Sequence, residues 1–166
     1  MNKFMSTNYR QCASAIVFNK QGLILLGNRI DTEDDAWQFS QGGIEKGETP
    51  DIAAKRELFE EMSVKSVELI FAAEKPFRYE FPNDVKKKFQ QTGIFTDGQD
   101  IYFSLFYFSG KEDEINIKTS SPEFKQYKWD TLDFAVKNIV DFKKAAYSFA
   151  ANIVSPMICQ YLEGLT

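Results

Sequence analysis

The chain has 166 residues, of which 43% are hydrophobic, 27% charged and 15% aromatic. These proportions are those of one soluble globular domain and exclude collagen-like, mucin-like and wholly disordered chains. A formal charge of -4 excludes a protein that coats nucleic acid through a broad basic surface, so a polyphosphate ligand needs local cations or bound metal.

Residues 1–8 are polar and unpatterned and read as a flexible N-terminus, with a single domain over residues 9–166. Cys12 to Phe18 and Leu23 to Leu26 are small, β-branched or aliphatic, and Asn19, Lys20, Gln21 and Gly22 between them carry hairpin-turn chemistry. Asp31 to Asp35 form an acidic loop, after which Trp37, Gln38, Phe39 and Ser40 lead into Gly42-Gly43 and the Gly47-Glu48 turn. Pro50 suits the first turn of a helix that runs to Met62. Val67 to Ala73, Phe77 to Phe81 and Ile101 to Phe108 read as strands, with a basic, polar loop holding Lys86, Lys87, Lys88 and Gly98 before the last of them.

The last long loop ends near Trp129, and a helix from about Asp133, in one or two pieces, is expected to kink or break at Pro156. Strands before, between and after helices predict an α/β protein whose mixed sheet is covered on both sides. Cys12 and Cys159 both lie in apolar runs and read as buried free thiols in a reducing compartment. The longest apolar run, Ile101 to Phe108, is interrupted by Ser104, and no basic start precedes an apolar stretch. No signal peptide or membrane span is expected, and the expected compartment is the cytoplasm.

The chain has no histidine, which with two distant cysteines removes zinc sites and histidine-based triads. Catalysis must then run on carboxylates, lysines, hydroxyls or metal ions. At 100° per residue Glu57, Glu60 and Glu61 share about one third of the helix circumference, while Ile52, Leu58, Phe59 and Met62 point broadly the other way. Hard oxygen donors at this spacing suit Mg²⁺, with Mn²⁺ as an alternative. A helix with several glutamates also reads as a plain solvated face.

Gly42, Glu48, Arg56, Glu57, Leu58, Glu60, Glu61 and Val64 fall at the spacing of the Nudix box, and the chain resembles that family. The resemblance implies a Nudix fold, an α/β/α sandwich around a central mixed β-sheet. It further implies divalent metal held by Gly42, Glu57, Glu60 and Glu61, with Glu61 favoured to help deprotonate the attacking water. Arg56 lies to one side of the acidic face and reads as a salt bridge, most simply with Glu48, that pins loop to helix. Ser63 stands where the box has glycine.

Over roughly Tyr9 to Phe149 the chain is similar to bacterial RNA pyrophosphohydrolases and dinucleoside polyphosphate hydrolases. The residues that carry this are Arg29, the run Ala36 to Ile44, Ser121 to Phe124, Tyr127 to Trp129 and Val140 to Lys143. By that resemblance Glu123 adds a metal-binding carboxylate, and Arg29, Phe142 and Lys143 hold the 5′ end of an RNA or a dinucleoside polyphosphate, without an extended nucleic-acid groove or a membrane. The bland readings are a core aromatic for Phe142 and a solvated helix charge for Lys143. Two positions depart from the subgroup: Ser40 stands for a proline, and Asp100-Ile101 for a basic pair. From another class, a catalytically silent module that senses a nucleotide has the same fold.

Overall fold

The first strand, β1 (Tyr9–Phe18), is apolar on both faces because it lies between two cores. Ile16 and Phe18 enter one core, and Ala13, Ala15 and Val17 enter the other. The computed structural model describes residues 8–166. The flexible segment expected at the N-terminus lies outside the described residues up to position 7, and the Asn8 carbonyl accepts hydrogen bonds from the Asp97 amide and the Thr96 hydroxyl.

β1 pairs in parallel with β7 (Gly98–Phe108), from Tyr9 opposite Gly98 to Phe18 opposite Tyr107. Its other edge pairs antiparallel with β4 (Ser40–Gly43) along Cys12 to Ala15. β2 (Ile24–Arg29) meets β1 only at Phe18 and Ile24. The turn between them forms as the sequence predicts, with the Asn19 side-chain oxygen accepting the amides of Gln21 and Leu23. The strands then part, because β4 occupies the rest of that edge while β2 pairs with β3 (Trp37–Gln38) and β8 (Phe124–Asp130). β5 (Val67–Ala72) and β6 (Phe77–Glu80) pair with β7.

Helix α1 (Pro50–Met62) buries Ala53, Ala54, Leu58 and Met62 in one core. The C-terminal helices α3 (Leu132–Asn138) and α4 (Lys144–Glu163) contribute Ala135, Tyr147, Ala150, Val154 and Ile158 to the other. The mixed sheet covered on both faces is therefore as expected.

Several local expectations fail for identifiable reasons. The lysine-rich stretch is helical, α2 (Asn83–Gln91), because Val85 and Phe89 four residues apart give it an apolar stripe that the intervening lysines obscure. The ring of Phe89 stacks on Phe81 at 5.1 Å. Much of the last long loop is strand β8, stabilised by pairing with β2 rather than by an alternating pattern of its own. The C-terminal helix does come in two pieces, but Pro156 sits inside α4 without breaking it. Pro156 and Asn152 are both exposed, so the carbonyl left unpaired one turn earlier is open to water. Ile52 and Phe59 face solvent, and Cys159 is exposed while Cys12 is buried. Among the described residues no helix is long and apolar enough to cross a membrane.

Candidate active site

The site forms where β4 runs into the loop that starts α1. Arg56 fixes that loop: Nε meets Glu48 Oε2 at 2.7 Å, and Nη2 donates to Glu48 Oε1 at 2.9 Å and to the Gly43 carbonyl at 2.8 Å. Glu48 also accepts the Glu45 amide at 2.8 Å, so the expected salt bridge closes the turn from both sides. The guanidinium beside it holds the Glu48 carboxyl below the usual range. The remaining Arg56 nitrogen, Nη1, contacts Glu57 at 2.7 Å and Glu60 at 3.2 Å.

The acidic side of α1 is not a solvated face. Glu61 is 5% exposed and accepts the Gln41 amide at 3.1 Å. Burial, reinforced by Glu57, pushes its carboxyl up to about 9. Burial also raises Glu57, against the lowering influence of Arg56. A Cβ at Gly42 would overlap the Glu57 carboxylate, so glycine here leaves that side chain its place in the site.

Glu57, Glu61 and Glu123 line one cavity of about 660 Å³ together with Gly42 and Gln41. Glu60 is half exposed and turned toward Arg56 outside it. As the side chains lie, no three acidic or thiol groups among the described residues form a closed cage. The donor set nevertheless fits a hard divalent cation: the Glu57 and Glu61 carboxylates crowd together at the cavity wall, Glu61 forms no ion pair among the described residues, and the buried Oε1 of Gln41 has no hydrogen-bond partner.

The same cavity is lined by the residues expected to hold substrate. Phe142 packs against Tyr79 and Phe81, with ring centroids 6.1 and 5.9 Å away, and still lines the cavity. It belongs both to the core and to the cavity wall. Lys143, read blandly as a solvated charge, is only 4% exposed. It caps the start of α4 from a 3-10 turn, and burial lowers its ammonium to about 7. Arg29 lines the same cavity but donates from Nε to Asp31 Oδ1 at 2.8 Å and from Nη2 to Asp31 Oδ2 at 2.5 Å.

Arg10, Lys88, Gln38, Gln41 and Asp31 line the cavity without having been singled out in the sequence. Lys88 was concealed in a charge run. Arg10, placed over the Phe89 ring at 4.8 Å, would have been suggested only by the ordering of β1 toward the site. Asp100, where the subgroup has a basic residue, is tied to Arg78 at 2.8 and 3.0 Å and to Gln11 at 2.9 Å, which makes it a brace between β6, β7 and β1. Ser40 is buried, with its hydroxyl beside the Glu61 carboxylate, which it draws slightly down against the effect of burial. Ser63 ends α1 in the left-handed region at φ 62°, the conformation that the missing glycine predicts.

A profile of the NUDIX domain matches residues 8–152. The chain is 38% identical over 146 residues to the RNA pyrophosphohydrolase of Rickettsia typhi, covering 88% of this chain and 89% of that protein. It is 40% identical over 141 residues to the RNA pyrophosphohydrolase of Roseobacter denitrificans, covering 84% and 87%. A solved structure of a C. elegans Ap4A hydrolase binary complex superposes with a TM-score of 0.58 at 16% identity, over 87% of this chain and 98% of that one, a likeness of fold. With the glycine loop, the Arg56 brace and the carboxylate helix in place, the chain belongs to the Nudix hydrolase family.

Proposed function

We propose that the protein is a metal-dependent RNA pyrophosphohydrolase that converts 5′-triphosphate RNA ends to 5′-monophosphate ends with release of pyrophosphate, the chemistry of a step in mRNA decay. The observation that carries this reading is the near-full-length identity to relatives of that name, 38 to 40%, combined with a cavity lined by carboxylates, an aromatic ring and cations. Residues 9–166 act as one catalytic unit in this reading.

Glu57, Glu60, Glu61 and Glu123, with the Gly42 carbonyl, hold Mg²⁺, and Mn²⁺ suits the same oxygen donors. Bound there, the cation supplies charge neutralisation at the phosphates and a more acidic water. Glu61 takes the proton of the attacking water, and a cation held beside it would keep its carboxyl ionised against the burial that raises it in the metal-free site. Phe142 offers a ring for the first base, and Lys143 and Arg29 meet phosphate oxygens. The burial of Lys143 supports a phosphate contact, since its ammonium forms no direct ion pair among the described residues and an anion beside it would supply one.

The test is a product assay with Mg²⁺ across triphosphorylated RNA, diadenosine tetraphosphate, sugar nucleotides and free nucleoside triphosphates. Pyrophosphate and monophosphorylated RNA are expected. Preferential cleavage of diadenosine tetraphosphate would assign the dinucleoside polyphosphate reaction instead, and absence of Mg²⁺-dependent turnover would assign a nucleotide-sensing module.

A further inference from the structure

Arg29 has two donor edges, and the one best suited to a phosphate is taken. Its Nε and Nη2 both bond the Asp31 carboxylate, two parallel donors on two oxygens, the same fork that a phosphate would accept. The remaining Nη1 reaches Gln38 Oε1 only at 3.4 Å. Asp31 is itself part of the cavity wall, more than half exposed, on the acidic loop between β2 and β3. The cavity lining already carries Glu57, Glu61 and Glu123. A polyanion therefore meets one more negative charge at the rim, placed on the cation that would otherwise receive it.

We infer that Asp31 is a built-in competitor for the substrate phosphate on Arg29, and that it sets how tightly the site holds a polyphosphate. This rests on the proposed reading of Arg29 as a phosphate contact. The pair is open to solvent on the Asp31 side, so a phosphate carrying more charge than a carboxylate can take over the fork while Asp31 is released to water. Asp31 then swings toward water with its loop. Weaker anions do not make that exchange, and Asp31 thereby favours highly charged ends over singly phosphorylated products.

Steady-state kinetics on the full chain with Mg²⁺ test this, using the triphosphorylated dinucleotide pppApG and diadenosine tetraphosphate as probes. Asp31→Asn is expected to lower KM about fivefold with kcat held. The dependence of KM on salt should steepen, as expected when a further phosphate contact forms. Asp31→Glu keeps the wild-type KM. Arg29→Ala raises KM, and adding Asp31→Asn to it changes KM no further, because the competitor acts only through Arg29.

A KM that rises or stays level in Asp31→Asn overturns the inference, the first outcome making Asp31 a residue that orients Arg29. A drop in KM that persists without Arg29 also overturns it, since the effect is then general electrostatics. No turnover of either probe by the unaltered protein removes the hydrolase reading and the competitor with it, whereas normal turnover without the expected KM shift removes the competitor alone.

Discussion

The Glu61 carboxylate receives the Gln41 amide at 3.1 Å from inside the fold, so the end of α1 is fastened to β4 by the same group that faces the cavity. A carboxylate in this position serves structure with one oxygen and leaves the other for chemistry. Its burial is what separates it from the exposed glutamates of an ordinary amphipathic helix.

Replacement of Glu61 by Gln keeps size and removes charge. Turnover should fall about a hundredfold or more, which is roughly 3 kcal/mol of transition-state stabilisation. The metal-free protein should behave in the opposite way. Its folded state keeps the proton on Glu61 up to about pH 9 while the unfolded chain loses it near 4.5, so wild-type stability falls as pH rises through that window. Glu61→Gln removes this decline, and denaturant titrations at pH 5 and pH 8.5 without metal measure it.

Lys143 makes the converse prediction. Its folded ammonium titrates near 7 and its unfolded one near 10.5, so the unfolded chain binds the extra proton between those values. Stability from this group is lowest below pH 7 and recovers as pH rises toward 10.5. Lys143→Met should therefore stabilise the ligand-free protein by about 0.5–2 kcal/mol at pH 6.5, with the gain shrinking by pH 10, while KM for triphosphorylated RNA rises. Equal stabilisation at both pH values would remove the buried charge as its cause.

Phe142 is shared between core and cavity, and Phe142→Ala should show both losses. Binding of the RNA end should weaken by about 1–3 kcal/mol from lost stacking. Stability should fall by less than the roughly 3–5 kcal/mol of a fully buried Phe, because the ring is only partly enclosed. An unchanged RNA affinity with early melting would make it a core residue alone.

At Ser63 the left-handed backbone is offset by a bond from its hydroxyl to the Asn116 carbonyl at 2.9 Å. Ser63→Gly relieves about 1 kcal/mol of strain and gives up a bond of similar worth, so its net effect should stay within about 0.5 kcal/mol. Ser63→Ala keeps the strain and loses the bond. It should cost about 1 kcal/mol in a denaturant titration with the hydrolysis rate unchanged.

The spacing of Gly42, Glu48, Arg56, Glu57, Glu60 and Glu61 made the loop and helix legible, since each is fixed by local geometry within one turn and the helix after it. Helix α2 was hidden because only Val85 and Phe89 carry its pattern, and β8 because its partner β2 lies about a hundred residues earlier, as in Asn28 opposite Gln126. Helical phase could group Glu57 and Glu61 but could not tell that β4 would cover them. It likewise could not tell that Lys143 would be drawn under the surface or that Asp31 would fold back onto Arg29. Those facts depend on contacts between distant segments, which periodicity does not encode.

The parallel pairing of β1 with β7 has a consequence for the nascent chain. Tyr9 to Phe18 leave the ribosome well before their longest partner, Gly98 to Tyr107, which emerges some ninety residues later at roughly 5–20 residues per second. Until then an apolar strand waits with one edge open, and the Cys12 to Ala15 segment that β4 must join has no sheet behind it. Closure of the sheet, and with it assembly of the hydrolytic cavity, is consequently a late event in synthesis, and this stretch of β1 is where a folding chaperone would be most needed.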